Sequence, residues 1–461
     1  MEKTLIYQIG RLDTNVFQKQ KFHIDDTEVE APLTSFAIQK AIQFLGKEAD
    51  VFLFYPISLP FNKSLLANEM FAKSAPTALV QRIGEILQGP DHYLQRPEEF
   101  FSSHPHTRLA TGHRIIHSIG SFQSDSLENP TISFDQCYYS DIVFEMLLKV
   151  IEDFLGKIGI DRVIFDISSG HNIYVSALME AARYFNLWLN MRYLANPKDI
   201  PAIEIAFSDP IIGSRELYRI HFEPMAIKAF FDAPIGTHDV RDYNLSRSIF
   251  PLKEQRAEKR LLQDLLERFL VIFSSVKNNT PMYVYHAGYH DVGKIDELSG
   301  RLFNYISKML FKKYDESPGL DKKNYLKAIL SLSLYSGLSR LFSSKGITKY
   351  DPDKGVNLKV LENGFVSIYK SLGLNLNDAI LRHEVDLLRR DSRKISGQWM
   401  MVLSLIKEFS EEPGSPVKRN FFAHAGFESH VTECKIEEGE LFLRYKAESI
   451  DTIKGWLISS V

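Results

Sequence analysis

Arg162-Val163-Ile164-Phe165-Asp166-Ile167-Ser168-Ser169-Gly170-His171-Asn172 passes from an apolar run through one carboxylate into two hydroxyl residues and a glycine, then into an amphipathic stretch over 172–185. A short run of β-branched and aromatic residues suits a strand buried on both faces, and helical spacing after a tight turn suits a crossover helix. The segment therefore predicts one strand–loop–helix unit of a mostly parallel sheet. The same alternation continues outward from it. Residues 5–9 read as a first buried strand and 32–45 as a helix, with Pro32 in its first turn and Gly46 as its stop. Residues 51–55 and 114–119 read as further strands, 140–155 as a long amphipathic helix, and 188–194 and 203–207 as strand-like.

Residues 1–210 are thus expected to form an α/β, Rossmann-like domain with a mostly parallel sheet. The Pro-, Gly-, Ser- and His-rich residues 72–129 form an insertion in it. Residues 211–255 read as a connector. Over 256–461 the apolar spacing changes to 3.6, as in Leu261, Leu262, Leu265, Leu266, Phe269, Leu270 and Phe273, and no sheet is evident, so an all-α domain is expected.

The 461 residues exceed what one core usually holds, and 44% hydrophobic with 25% charged residues is a globular composition. The net charge of −3 argues against a surface that coats nucleic acid everywhere, and leaves room for a local basic face. Cys137 and Cys434 stand in no metal or redox spacing, so a cytoplasmic protein is expected. No apolar run is long enough for a membrane span.

Ligands of open α/β sheets sit beyond the carboxyl ends of the strands. Two loops occupy that position. Gly10, Arg11, Asp13, Thr14 and Asn15 follow the first strand, and Asp166, Ser168, Ser169, Gly170, His171 and Asn172 close the quoted unit. Small residues leading into a helix leave backbone N–H groups free for an anion, which is chemistry for a phosphate and also an ordinary helix start. No G-x-G-x-x-G follows the first strand and no Walker A pattern occurs, which sets aside dinucleotide oxidoreductases and P-loop ATPases.

Near the C-terminus stands Arg419-Asn420-Phe421-Phe422-Ala423-His424. Ser415 and Pro416 read as a helix start and Gly426 as its end, giving a helix over 416–425. At about 100° per residue Asn420 and His424 lie about 40° apart, and Arg419 and His424 about 140° apart, too far to grip one phosphate well. Two copies facing across a dimer axis could build a shared cleft. RNA brings its own nucleophile, the 2′-hydroxyl. A ribonuclease then needs proton transfer, for which histidine is suited, and a cation for the developing phosphorane charge, for which arginine is suited. Arg419, Asn420 and His424 are the candidate catalytic residues.

Here the chain resembles the CRISPR-associated ribonucleases of type III systems that join a CARF sensor domain to a HEPN nuclease domain. Arg419-Asn420-Phe421-Phe422-Ala423-His424 is similar to the HEPN R-x4-6-H motif, and Asp166-Ile167-Ser168-Ser169-Gly170 to the CARF D-x-S/T-x-G motif, with residues 10–15 where that family's first ligand loop lies. The resemblance implies an antiviral, metal-independent endoribonuclease, acting as a homodimer, with the state above the dimer open. It would cut single-stranded RNA to a 2′,3′-cyclic phosphate and a 5′-hydroxyl. It implies no cofactor, and allosteric activation by cyclic oligoadenylate, cyclic tetra-adenylate being the commoner activator. The ring size, the base preference of cleavage, and whether the sensor domain degrades its ligand are left open by the sequence.

Other patterns compete. His290-Asp291-Val292-Gly293-Lys294 looks like the core of HD-type metal phosphohydrolases, but no second histidine stands at a suitable distance, and 281–285 reads as a poor helix. His113 and His117 would share a helix face, yet the residues between them suit a strand. The run Arg382, His383, Arg389, Arg390, Arg393 and Lys394 suits either RNA backbone or an ordinary exposed face, given Glu384, Asp386 and Asp391 among them. A CARF-type transcription regulator is a further alternative, although the second half is long and apolar for a single DNA-binding module.

Overall fold

The computed structural model describes residues 2–12, 17–127, 130–209, 217–226, 231–310, 314, 321–406 and 416–461, with backbone alone at 393, 405 and 406. The chain divides into two compact units. One comprises Met1–Leu189, Lys198–Lys228 and Leu302–Lys322, the other Asn190–Pro197, Ala229–Arg301 and Lys323–Val461.

The first unit is organised by strands β1 (Lys3–Ile9), β2 (Gln20–Ile24) and β3 (Thr27–Ala31), helix α1 (Thr34–Phe44), strands β4 (Glu48–Pro56) and β5 (Gly112–Ile116), helix α2 (Tyr139–Leu155), strand β6 (Ile160–Asp166), helix α3 (Asn172–Arg192), and strands β7 (Ala202–Ser208) and β8 (Tyr218–Pro224). The eight strands make one sheet in the order β3-β2-β8-β7-β6-β1-β4-β5. Its central pairs β7/β6, β6/β1, β1/β4 and β4/β5 are all parallel, while β8 runs antiparallel to β7. Strand alternation divides the apolar residues between two faces. Ile6, Val51, Leu53, Tyr55, Ile115 and Ile164 share a core with Phe36, Ala37 and Ile38 of α1. On the other face Tyr7 stacks with Phe52, Phe54 and Phe165, and Phe165 meets Phe185 of α3. This is the α/β, mostly parallel architecture expected.

Local differences have physical causes. The expected strand over 188–194 is not formed, because α3 runs on to Arg192 and buries Leu178, Ala181, Ala182, Phe185 and Leu189 at helical spacing. Helix α1 starts at Thr34 with Leu33 as its cap, so Pro32 precedes it, while Gly46 supplies the expected left-handed stop at φ 74°. Residues 72–129 are largely short helices, and they also carry β5, the edge strand of the main sheet. Strand β8 lies in the stretch read as connector.

The second unit is built on α4 (Arg256–Lys277), α5 (Pro281–Ala287), α6 (Val292–Leu310) as far as Arg301, α7 (Lys322–Ser344) from Lys323, α8 (Leu358–Ser371), α9 (Asn375–Arg390), α10 (Lys418–Ala423) and α11 (Ile450–Ile458). Along α4 Leu262, Leu265, Leu266, Phe269, Leu270 and Phe273 are wholly buried. The helical expectation holds. The unit also contains a small antiparallel sheet of β9 (Thr432–Glu437), β10 (Glu440–Tyr445) and two-residue strands at Val356–Asn357 and Met400–Met401. Half the residues of β9 and β10 face outward and are polar or mixed, and the outer strands are too short to show a period.

A Cβ at Gly337 of α7 would stand 2.0 Å from the carbonyl oxygen of Met191. Alanine gains about 1 kcal/mol of helix propensity over glycine, but overpacking against fixed backbone costs about 1–3 kcal/mol or more. Gly337→Ala is expected to lower the urea midpoint of unfolding; a midpoint unchanged or raised would show that the close approach relaxes at no cost.

Candidate functional site

After β1 the chain forms the β2–β3 hairpin at the far edge, comes back through α1 to β4 and β5 on one side of β1, and then passes through α2 to β6 on the other side. The carboxyl ends of β1 and β6 therefore flank the point where strand order reverses, the usual ligand crevice of such sheets. Gln8 of β1 stands in register with Asp166 of β6. Both are fully buried, and a buried polar group must find partners or cost about 1–3 kcal/mol.

Their partners bind the crevice together. The Gln8 Nε2 donates to Thr34 Oγ1 and to Ser169 Oγ, each at 2.8 Å, and its Oε1 accepts from the Ser35 amide at 3.4 Å and the Ser35 hydroxyl. Asp166 accepts from the Thr34 hydroxyl and from the Ser168 amide at 2.9 Å. Burial raises the pKa of Asp166, and the hydrogen bonds from Ser168 and Thr34 oppose that rise. Gly170 adopts φ 128°, and a Cβ there would lie 2.9 Å from Ile9 Cβ; one at Gly10 would enter the Tyr55 ring at 2.2 Å. Close approach thus requires both glycines, and backbone geometry also requires Gly170.

His171 and Asn172 are exposed at the start of α3, and the His171 carbonyl accepts from the Tyr174 and Val175 amides. The amides ahead of these are the donors that a helix start leaves unpaired, and they carry the positive end of its dipole. Arg11 is half-buried just after β1. Asp13, Thr14 and Asn15 lie outside the described residues. Gln8, Thr34 and Ser35 were not singled out from sequence, although a lone amide in an apolar strand and paired hydroxyls at a helix start are the signals that mark them.

In the second unit, α10 is shorter than expected. It spans Lys418–Ala423, with Val417 as its cap and Pro416 before it, and Ser415 lies outside the described residues. His424 leaves the helix at φ −107°, ψ 39°, and Ala425 and Gly426 follow at φ 51° and 79°. A Cβ at Gly426 would meet the Tyr445 hydroxyl and Thr280 at 3.0–3.2 Å, so both the left-handed backbone and the close approach favour glycine at this turn. The angle of about 140° between Arg419 and His424 assumed an unbroken helix, and it does not apply to a terminal residue.

Phe421 is fully buried, its ring 5.4 Å from Trp456 and 6.1 Å from Tyr445. Arg419, Asn420 and His424 are exposed. The His424 Nδ1 stands 3.1 Å from Glu384 Oε1, a carboxylate of α9 whose side chain is 13% exposed against 52% for the histidine. Glu384 had counted only as an interspersed acid. Three of the basic residues in that run are paired, Arg382 with Asp378 at 2.8 Å, Arg389 with Glu362 at 2.5 Å, and Lys394 with Asp391 at 3.8 Å, while the side chain of Arg393 lies outside the described residues.

The rival patterns resolve into structural pairs. His290 bonds Asp264 at 3.0 Å and the Tyr335 hydroxyl at 3.0 Å. Residues Pro281–Ala287 ahead of it do form a helix, contrary to expectation, with Pro281 in its first turn. His113, on β5, meets Glu98 at 2.8 Å, and His117, just beyond the strand, is paired in the core with Glu145. Among the described residues no group of three His, Cys, Asp or Glu side chains is gathered to hold a metal ion, and no helix is long and apolar enough to cross a membrane.

Residues 4–210 match the CARF domain, and residues 374–448 the HEPN domain, of the family described as CRISPR system endoribonuclease Csx1. Together the segments cover more than half of the chain, and they contain the crevice and the Arg419–His424 segment respectively. No curated protein matches the sequence.

Gln8→Leu would leave the Thr34, Ser35 and Ser169 groups without their shared partner. A loss of about 1–3 kcal/mol in unfolding free energy is expected by urea titration; an unchanged value would remove the amide as the tie between β1, α1 and the Ser169 loop.

Proposed function

Because the chain belongs to the CARF–HEPN family of CRISPR-associated endoribonucleases, we propose that it cleaves single-stranded RNA without a metal ion, at a site completed by a second copy of itself and switched by cyclic oligoadenylate. The observation that carries the cleavage reading is the presentation of Arg419, Asn420 and His424 to solvent on a helix anchored by Phe421, with His424 held by Glu384.

The chemistry follows from what these side chains offer. With Nδ1–H donated to Glu384, the neutral imidazole presents Nε2 as an acceptor, able to take the 2′-hydroxyl proton. The 2′-oxygen attacks the adjacent phosphorus, the P–O5′ bond breaks, and a protonated histidine returns a proton to the departing 5′-oxygen. The products are a 2′,3′-cyclic phosphate and a 5′-hydroxyl. Arg419 supplies a fixed cation with two parallel donors for the phosphorane oxygens, and Asn420 a neutral donor that orients the phosphate. One histidine cannot be base and acid in the same step. Two copies of the segment supply both roles, so the homodimer is part of the mechanism.

The crevice supports the sensor reading. Ser169 and Gly170 ahead of α3, with Gly10 and Arg11 after β1, offer amides, a hydroxyl and a cation to phosphates, while Ser168 holds the loop to Asp166. A ring of adenylates carries repeated phosphates, which suits two such crevices related by the dimer axis, and cyclic tetra-adenylate is the activator we favour. The setting is type III antiviral interference inside the cell.

The test incubates single-stranded RNA in EDTA with each of the cyclic tri- to hexa-adenylates, and compares wild type with His424→Ala. One ring size is expected to stimulate cleavage to cyclic-phosphate ends, and His424→Ala to lose about 10²–10⁴-fold in rate. Stimulation by none of the rings, or full activity in the variant, would contradict the proposal. In the same assay Ser169→Trp is expected to raise the activator concentration needed for half-maximal cleavage; an unchanged requirement would remove the crevice as the activator site.

A further inference from the structure

Two adjoining clefts in the helical unit are used by nothing described so far. One, of ≈ 240 Å³, is lined by Asp264, Arg268, His286, Lys349 and Lys454 among others, and the second, of ≈ 300 Å³, shares Arg268 and Lys349 and adds His290. Each is near the lower end of ligand pockets, about 300–1,000 Å³. Their shared wall is preformed. The Tyr350 amide donates to the Tyr285 carbonyl at 2.9 Å, the Tyr289 hydroxyl to the Ile347 carbonyl at 2.9 Å, and Arg268 Nη1 to the Ala287 carbonyl at 2.6 Å.

The charges are uneven. Lys454 is paired with Glu267 at 3.7 Å and Lys294 with Asp264 at 3.5 Å. Arg268 and Lys349 have no carboxylate at ion-pair distance among the described residues. Their field is felt by His286, whose pKa burial and then Lys349 and Arg268 push down to about 4. A half-buried guanidinium and an ammonium facing one cleft, both without an anion, suit a phosphate, which takes the guanidinium as a two-pronged donor and the ammonium as a point charge.

We propose that Arg268 and Lys349 form a phosphate-holding subsite for one nucleotide of the RNA strand, apart from the Arg419–His424 segment. RNA as the source of that phosphate rests on the ribonuclease reading. Helix α11 relates the two places: Lys454 lines the cleft, and Trp456, about 200° around the same helix, packs on Phe421. The subsite and the scissile bond therefore lie on different sides of α11, and an RNA strand that reached both would run around that helix and α10. The expected effect of the subsite is on affinity and length preference for RNA, and its occupant makes no contact with the reacting atoms.

The test uses the full chain carrying His424→Ala, a fluorescein-labelled single-stranded RNA, and anisotropy over a range of KCl concentrations. Adding Lys349→Glu or Arg268→Gln is expected to weaken binding roughly tenfold at low salt and to reduce the slope of log affinity against log salt by about 1. Adenosine monophosphate, followed by thermal shift, is expected to stabilise the parent and not Lys349→Glu. Stabilisation by the mononucleotide with RNA affinity unchanged would overturn RNA as the source and keep the phosphate site. Unchanged RNA affinity and slope in both variants, with melting temperatures retained and no response to the mononucleotide, would overturn the subsite. Wild-type cleavage is scored in parallel: cleavage without a subsite rejects the subsite alone, and absence of cleavage rejects the ribonuclease reading.

Discussion

Burying Phe421 between Tyr445 and Trp456 leaves α10 no freedom to turn about its axis. A helix of six residues has little stability of its own, so its orientation is set by that one ring and by the turn at Ala425 and Gly426. Everything chemical about the segment follows from this constraint. With the ring inward, Arg419, Asn420 and His424 point away from the core, and the nearest fixed polar group to His424 is Glu384. A carboxylate that orients the imidazole is present within the unit, whereas a second proton-transferring group beside His424 is not among its described hydrogen-bond partners. The proposed composite site is the direct response to that shortage.

The sensor unit shows the opposite arrangement. Its polar groups are turned inward, where Gln8, Thr34, Ser35, Asp166 and Ser169 satisfy one another at the ends of β1 and β6. Such a network is costly if any member is lost, and for that reason it specifies geometry closely. It fixes the Ser168–Gly170 loop and the start of α3 while leaving His171 and Asn172 exposed. A crevice held open this way would meet the proposed phosphate-bearing ligand with its loop already ordered, so that little binding energy would be spent on ordering it.

Much of this was legible in the residues, for identifiable reasons. The quoted segment at Arg162–Asn172 announced both its strand and its loop, because β-branched residues and a Ser-Ser-Gly turn carry strong local signals. Residues 188–194 misled, since Trp188 and Leu189 look strand-like until their spacing from Phe185 and Leu178 is counted along one continuous helix. The small sheet of the helical unit was missed although β9 and β10 alternate in burial on either side of the Glu438-Gly439 turn, a local hairpin signal, and only its two-residue outer strands were beyond any periodicity. Glu384 and Gln8 were missed because their importance is tertiary: each acts on a residue far away in sequence, His424 in one case and Ser169 in the other. Local pattern located the motif residues, and packing alone could supply the residues that hold them.

The central claim is that one copy of the Arg419–His424 segment is half a site. Its most direct test mixes wild-type chains with increasing fractions of His424→Ala chains at constant total protein, allows subunits to exchange, and measures activated RNA cleavage. If two copies complete each site, activity follows the square of the wild-type fraction, so that an equal mixture retains about a quarter of full activity in a two-fold symmetric dimer. Activity that falls in simple proportion to the wild-type fraction would show that each chain cleaves alone, and would contradict the account.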